Sequence, residues 1–113
     1  MRHNLPVYNF PETIFVRENA PGDQLEHILS EITEIKEAVE DSYEDFEEAC
    51  KDDHVEEELA DLYGSLETYW RIKEEQKGQG YVAALFSKVE DKNRVRGYYS
   101  APVPPARQQE QSR

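Results

Sequence analysis

Glu31 and Glu34 stand three residues apart in "EITE", and Glu58 and Asp61 stand three apart in "EELAD". Paired carboxylates one helical turn apart can hold a hard divalent cation. Oxygen-only donors favour Mg2+ or Mn2+ over zinc. Four such groups converging on one point would repel strongly unless a cation sat among them. The spacing also has a plain reading. Residues 23–61 hold 17 acids against Lys36 and Lys51, and a run that acidic produces E-x-x-E patterns on a solvated helix face by chance. On that reading Glu37, Glu40, Glu44, Glu47, Glu48, Glu56 and Glu57 are surface acids.

The elements that must position these groups are helices. Asp23 with Glu26 has the form of a capping box, and Leu25, Ile28, Leu29, Ile32, Ile35 and Val39 follow at 3.6-residue spacing up to about Asp41. "SYEDFEEACKD" is a short helix or an extension of the first. Asp53 with Glu56 repeats the capping pattern, and Val55, Leu59, Leu62, Leu66, Tyr69 and Trp70 mark a second long helix that "KGQG" ends. Tyr81, Val82, Leu85, Phe86 and Val89 outline a third, reaching about Arg94. The spacing predicts an all-α fold: two long and one or two shorter helices per chain, a bundle completed by oligomerisation. Residues 1–22, with Pro6, Pro11 and Pro21, form an extended N-terminal arm in which "TIFV" is a strand or extended segment. Residues 23–99 form the helical domain, and residues 100–113 a mobile proline- and glutamine-rich tail.

On a helical wheel the first apolar stripe centres near Ile32. Glu31 lies roughly 90° to one side and Glu34 roughly 60° beyond. The second stripe centres near Leu59 and Leu66, with Glu58 roughly 80° away on the same side and Asp61 roughly 60° beyond. If the helices pack by their stripes, the four carboxylates meet at one margin of the interface. The third helix's apolar stripe continues into Lys92, Asn93 and Arg96, with Lys88 at its edge. Such bases form structural salt bridges, extend to solvent, or hold phosphate opposite a metal. Gln24 and His27 precede Glu31 on the same flank, placed either for solvent or for a base or sugar.

Composition sets the outer limits. A chain of 113 residues is one small domain, for which association is a natural way to bury more surface. The net charge of −12 is uneven: residues 1–76 hold 22 acids and 6 bases, residues 77–113 hold 3 and 7. An acidic body argues against binding nucleic-acid backbone. Cys50 is the single cysteine, which excludes an internal disulfide, and no apolar run approaches membrane-spanning length. The expectation is a cytoplasmic protein without membrane or nucleic-acid partners.

"EITE" followed by "EELAD" resembles the E-x-x-E … E-x-x-D signature of the MazG-like all-α nucleoside triphosphate pyrophosphohydrolases. This superfamily includes dimeric dUTPases, dCTP pyrophosphatases and phosphoribosyl-ATP pyrophosphatases. The 23 residues between Glu34 and Glu58, the "EAV" and "LADLY" segments, and "KNRVRGYY" at 92–99 carry the likeness over roughly residues 23–99. The resemblance implies Mg2+-dependent hydrolysis of a nucleoside triphosphate between the α and β phosphates, giving the monophosphate and pyrophosphate in a homodimer or homotetramer. It implies Glu31, Glu34, Glu58 and Asp61 as metal ligands, or one of them as the group that orients the attacking water. It implies Lys92, Asn93 and Arg96 as phosphate or ribose ligands, from the same subunit or its neighbour. The N-terminal arm and the tail do not map onto the family. Two rivals stand beside the enzyme: an acidic helical interaction protein acting as a nucleic-acid mimic or inhibitor, and a degenerate relative that binds nucleotide without cleaving it.

Overall fold

In the computed structural model, whose described residues are 8–100, every regular element is an α-helix. Residues 1–7 of the expected arm and residues 101–113 of the expected tail lie outside the described residues. Two long helices, α2 (Pro21–Ser42) and α4 (Asp53–Lys77), carry the molecule. α5 (Tyr81–Val95) is shorter, while α1 (Phe15–Glu18) and α3 (Phe46–Ala49) are single turns.

The helix caps lie three residues and one residue before the positions the capping patterns give, at Ala20 for Asp23 and at Asp52 for Asp53. α2 begins at Pro21, whose missing N–H suits the first helical position, and Asp23 accepts from the Ala20 N–H as a first-turn residue instead of capping the helix. α4 is capped by Asp52, which accepts from the His54 N–H. The "TIFV" segment is not a strand: Phe15–Glu18 turns once as helix, so the extended arm ends sooner than residue 22. "SYEDFEEACKD" gives a separate turn, α3, with Asp45 accepting from the Glu48 N–H. α4 ends at Gly78 and α5 starts after Gly80, both at positive φ, a conformation that costs little only without a Cβ.

α2 and α4 form an antiparallel hairpin fastened at both ends. Near its open end Gln24 donates to the Ser65 carbonyl at 3.1 Å, and near the turn Tyr43 donates to the Asp52 carboxylate. These ties put Glu31 about level with Asp61, and Glu34 about level with Glu58. α2 does not present the centre of its apolar stripe to α4. Gln24 (2 % exposed) and Ile28 (4 %) face inward, while Leu25, Leu29 and Ile32 on the neighbouring flank remain exposed. The reason lies in α4. Its facing surface includes Gly64, Ser65 and Thr68, and the buried Gln24 amide takes its partners there and from Asn19. α5 folds back on the other end of α4, where Trp70 meets Phe86 edge-on at 5.5 Å between ring centres. No helix among the described residues is long and apolar enough to cross a membrane.

Candidate functional site

The rotation of α2 brings its acidic edge to the junction with α4. A cavity of about 460 Å3 opens there, within the ordinary range for small-molecule sites. α2 contributes Gln24, His27 and Glu31, and α4 contributes Ala60, Asp61, Gly64, Ser65 and Thr68. A third wall comes from the segment before α2: Phe10, Pro11, Glu12, Thr13 and Phe15. Four of the residues singled out from the sequence, Gln24, His27, Glu31 and Asp61, therefore share one cavity.

Glu31 has the most unusual surroundings of the four. Its Oε2 lies 3.2 Å from His27 Nε2, one helical turn back. Its Oε1 is buried and has no hydrogen-bond partner among the described residues. A carboxylate oxygen withdrawn from water without a donor carries a desolvation cost that a proton donor or cation would offset. Gln24 is not a solvent-facing neighbour but a buried tie between helices. His27 is exposed along one side and holds Glu31 with the other.

Glu34 and Glu58 do not line the cavity. Both are exposed, and Glu58 Oε2 lies 3.5 Å from His54 Nε2, so α4 repeats the histidine–glutamate arrangement of α2. Among the described residues, no three histidine, cysteine, aspartate or glutamate side chains form a group that would hold a metal ion. Within the single chain the four carboxylates are thus an inner pair, Glu31 with Asp61, and an outer pair, Glu34 with Glu58. Magnesium commonly takes one or two carboxylates and completes its shell with water and phosphate oxygens. The inner pair suits that habit, and the oxygen at Glu31 without a partner is the observation that fits a cation there.

The basic end of α5 stands apart from this cavity. Lys88, Lys92 and Arg96 are exposed, and Asn93 is half-buried with its carbonyl accepting from the Tyr98 N–H. Arg94 pairs with Glu90 and Asp91, each at 2.9 Å. The Arg96 guanidinium lies over Tyr98, 5.7 Å from the ring centre. A larger concavity, about 690 Å3, is lined by Trp70, Leu85, Phe86, Val89, Glu90 and Tyr99, and none of the proposed ligands reaches it.

Sequence reasoning overlooked Glu67, Glu74 and Arg71. Glu67 is 6 % exposed yet fully partnered: its two oxygens accept from the backbone N–H groups of Asn9 and Phe10 and from the Asn9 side chain, at 2.9–3.1 Å. Glu74, two turns further on, accepts from the N–H groups of Gly80 and Val82 at the start of α5. Arg71 between them donates to the Phe10 carbonyl at 2.7 Å. The available signal was the succession Ala60, Gly64, Thr68. Small residues at helical spacing mark where another backbone comes close, and an acid on such a face must find donors. Compared with family models, curated proteins and solved structures, the chain matches none.

Proposed function

We propose that the chain is a Mg2+-dependent nucleotide pyrophosphohydrolase that cleaves a nucleoside or deoxynucleoside triphosphate between its α and β phosphates. The observation that carries this reading is the buried Oε1 of Glu31, without a partner among the described residues, in a cavity shared with Asp61. The motif order described above supports it as a resemblance.

In this reading Glu31 and Asp61 hold the ion, with Mn2+ as a substitute. The bound ion supplies charge neutralisation at the phosphates and a water of lowered pKa. His27 fixes one oxygen of Glu31, leaving the other for the ion. Gln24, pinned between Asn19 and Ser65, keeps the α2–α4 spacing constant while substrate enters. Glu34 and Glu58, one step further along the hairpin, would orient water or help to hold a second ion. Lys88, Lys92, Asn93 and Arg96 bind phosphate oxygens or ribose from a neighbouring subunit, since none of them lines the cavity of its own chain. A homodimer or homotetramer would cover Leu25, Leu29 and Ile32, which the single chain leaves exposed.

One observation favours a second reading. Glu34, Glu58 and Asp61 are exposed on a strongly acidic surface, as in a protein that docks a basic partner. Pyrophosphate release from a panel of NTPs and dNTPs, with and without Mg2+, separates the two. Turnover that disappears in Glu31→Gln and Asp61→Asn, with helicity retained by circular dichroism, is the expected result. Absence of turnover and of Mg2+ binding in the unmodified chain would overturn the enzyme reading.

A further inference from the structure

We infer that residues 8–15 are a strap, fastened by the Glu67 carboxylate, whose phenylalanine rings form the wall of the cavity that takes a planar base; the inference rests on the reading of that cavity as a nucleotide site.

The fastening is dense for so short a segment. Glu67 accepts three N–H groups from Asn9 and Phe10, and Asn9 Nδ2 also lies 3.1 Å from the Tyr63 hydroxyl. Arg71 grips the Phe10 carbonyl, lies over the Tyr8 ring at 4.2 Å and stands 3.8 Å from Glu12. Thr13 and Thr68 share a hydrogen bond between their hydroxyls at 3.0 Å. Burying a carboxylate is costly unless donors surround it. Here the donors are backbone groups of the strap, so Glu67 and the strap stabilise each other.

What the fastening presents is aromatic. Phe10 and Phe15 line the cavity and remain 39 % and 46 % exposed. Phe10 lies directly on α4: a Cβ on Gly64 would sit 3.5 Å from its ring. A cavity that joins carboxylates to open aromatic rings suits a ligand with an anionic, metal-bearing part and a flat apolar part. That is a nucleotide, and not a bare inorganic polyphosphate. Glu67 on this account touches no substrate and is a positioning residue.

The test is calorimetric titration of the full chain with three probes. These are α,β-imido nucleoside triphosphates of the common bases with Mg2+, inorganic tripolyphosphate with Mg2+, and the corresponding nucleosides without metal. The unmodified chain should bind at least one nucleotide more tightly than tripolyphosphate. Phe10→Ala and Phe15→Ala should each weaken that nucleotide on the order of tenfold, as loss of one stacking partner does, and leave tripolyphosphate unchanged. Glu67→Gln should show the same split, together with faster chymotryptic cleavage after Tyr8 and Phe15 and unchanged helicity. If Glu67→Gln fails to fold, the two phenylalanine variants carry the test alone. Tripolyphosphate binding with no gain from any base, or equal loss of both ligands in the phenylalanine variants, overturns the strap inference and leaves the metal site standing. Nucleoside binding that depends on the phenylalanines, without triphosphate binding, sinks the pyrophosphohydrolase reading and keeps the strap. Binding of none of the three overturns both.

Discussion

Glu67 and Glu31 lie on two helices packed against each other; Glu67 is buried and Glu31 half-buried. Glu67 is surrounded by donors: both oxygens are engaged by the backbone of the strap. Glu31 has one oxygen beside His27 and one with no donor among the described residues. The first arrangement is what a folding chain produces when a buried carboxylate serves stability. The second is a local deficit, the kind of feature that stability alone would remove and that a bound cation would explain. Around one cavity the same functional group is thus used in opposite ways: saturated where α4 holds the strap, unsaturated where α2 meets α4.

The contrast can be tested by substitution. Glu67→Ala should cost the most, about 3 kcal/mol, because it removes several charge-assisted hydrogen bonds at once. Urea unfolding followed by circular dichroism measures it, and a cost under about 1 kcal/mol would mean the strap contributes little. Glu74→Ala should cost about 1–2 kcal/mol, comparable to losing a helix cap, since it frees the Gly80 and Val82 N–H groups at the start of α5. Trp70 fluorescence should report that loss selectively, because Trp70 packs on Phe86 of α5. Glu31→Gln should go the other way, stabilising by about 0.5–1 kcal/mol in metal-free buffer while abolishing Mg2+ binding. If Glu31→Gln destabilises the metal-free chain as Glu67→Ala does, the proposed difference between the two sites disappears.

The smallest effect belongs to the hairpin turn. The hydrogen bond from Tyr43, then the His54 N–H, holds the Asp52 carboxyl below its usual value, and the same bond to Asp52 pushes the Tyr43 phenol up. A carboxyl depressed in the folded state contributes stability that is present above its unfolded pKa, near 4, and is lost as pH falls through the lower folded value. A phenol raised in the folded state contributes below its unfolded pKa, near 10, and that contribution is lost as pH rises through the higher folded value. Tyr43→Phe should therefore flatten the pH dependence of stability at both extremes and leave it unchanged near neutrality. A variant with the same acid limb as the parent would show that Asp52 does not use this bond.

Much of the fold was legible because helix signals are local. Apolar spacing marked α2, α4 and α5, and the glycines of "KGQG" marked the reversal. The capping patterns misplaced two helix starts, at Asp23 and Asp53, because a first-turn acid and a true cap look alike in sequence: Asp23 accepts an N–H from Ala20 without being the cap. Wheel geometry placed Glu31 and Glu58 at the edges of apolar stripes, with Glu34 and Asp61 beyond them, yet it is Glu31 and Asp61 that line the cavity. It assumed, however, that the stripes meet centre to centre. The hairpin instead packs on Gln24 and Ile28, which separates the carboxylates into inner and outer pairs.

What the amino-acid order settled by itself is what nearest neighbours along a helix can settle: where the chain coils, where it turns, which residues share a flank. The strap could not be read that way, because it depends on Glu67 meeting N–H groups 57 and 58 positions earlier in the chain. Which carboxylate is satisfied and which is left wanting was decided only in three dimensions, since a buried charge takes its character from whichever donors the fold happens to bring beside it.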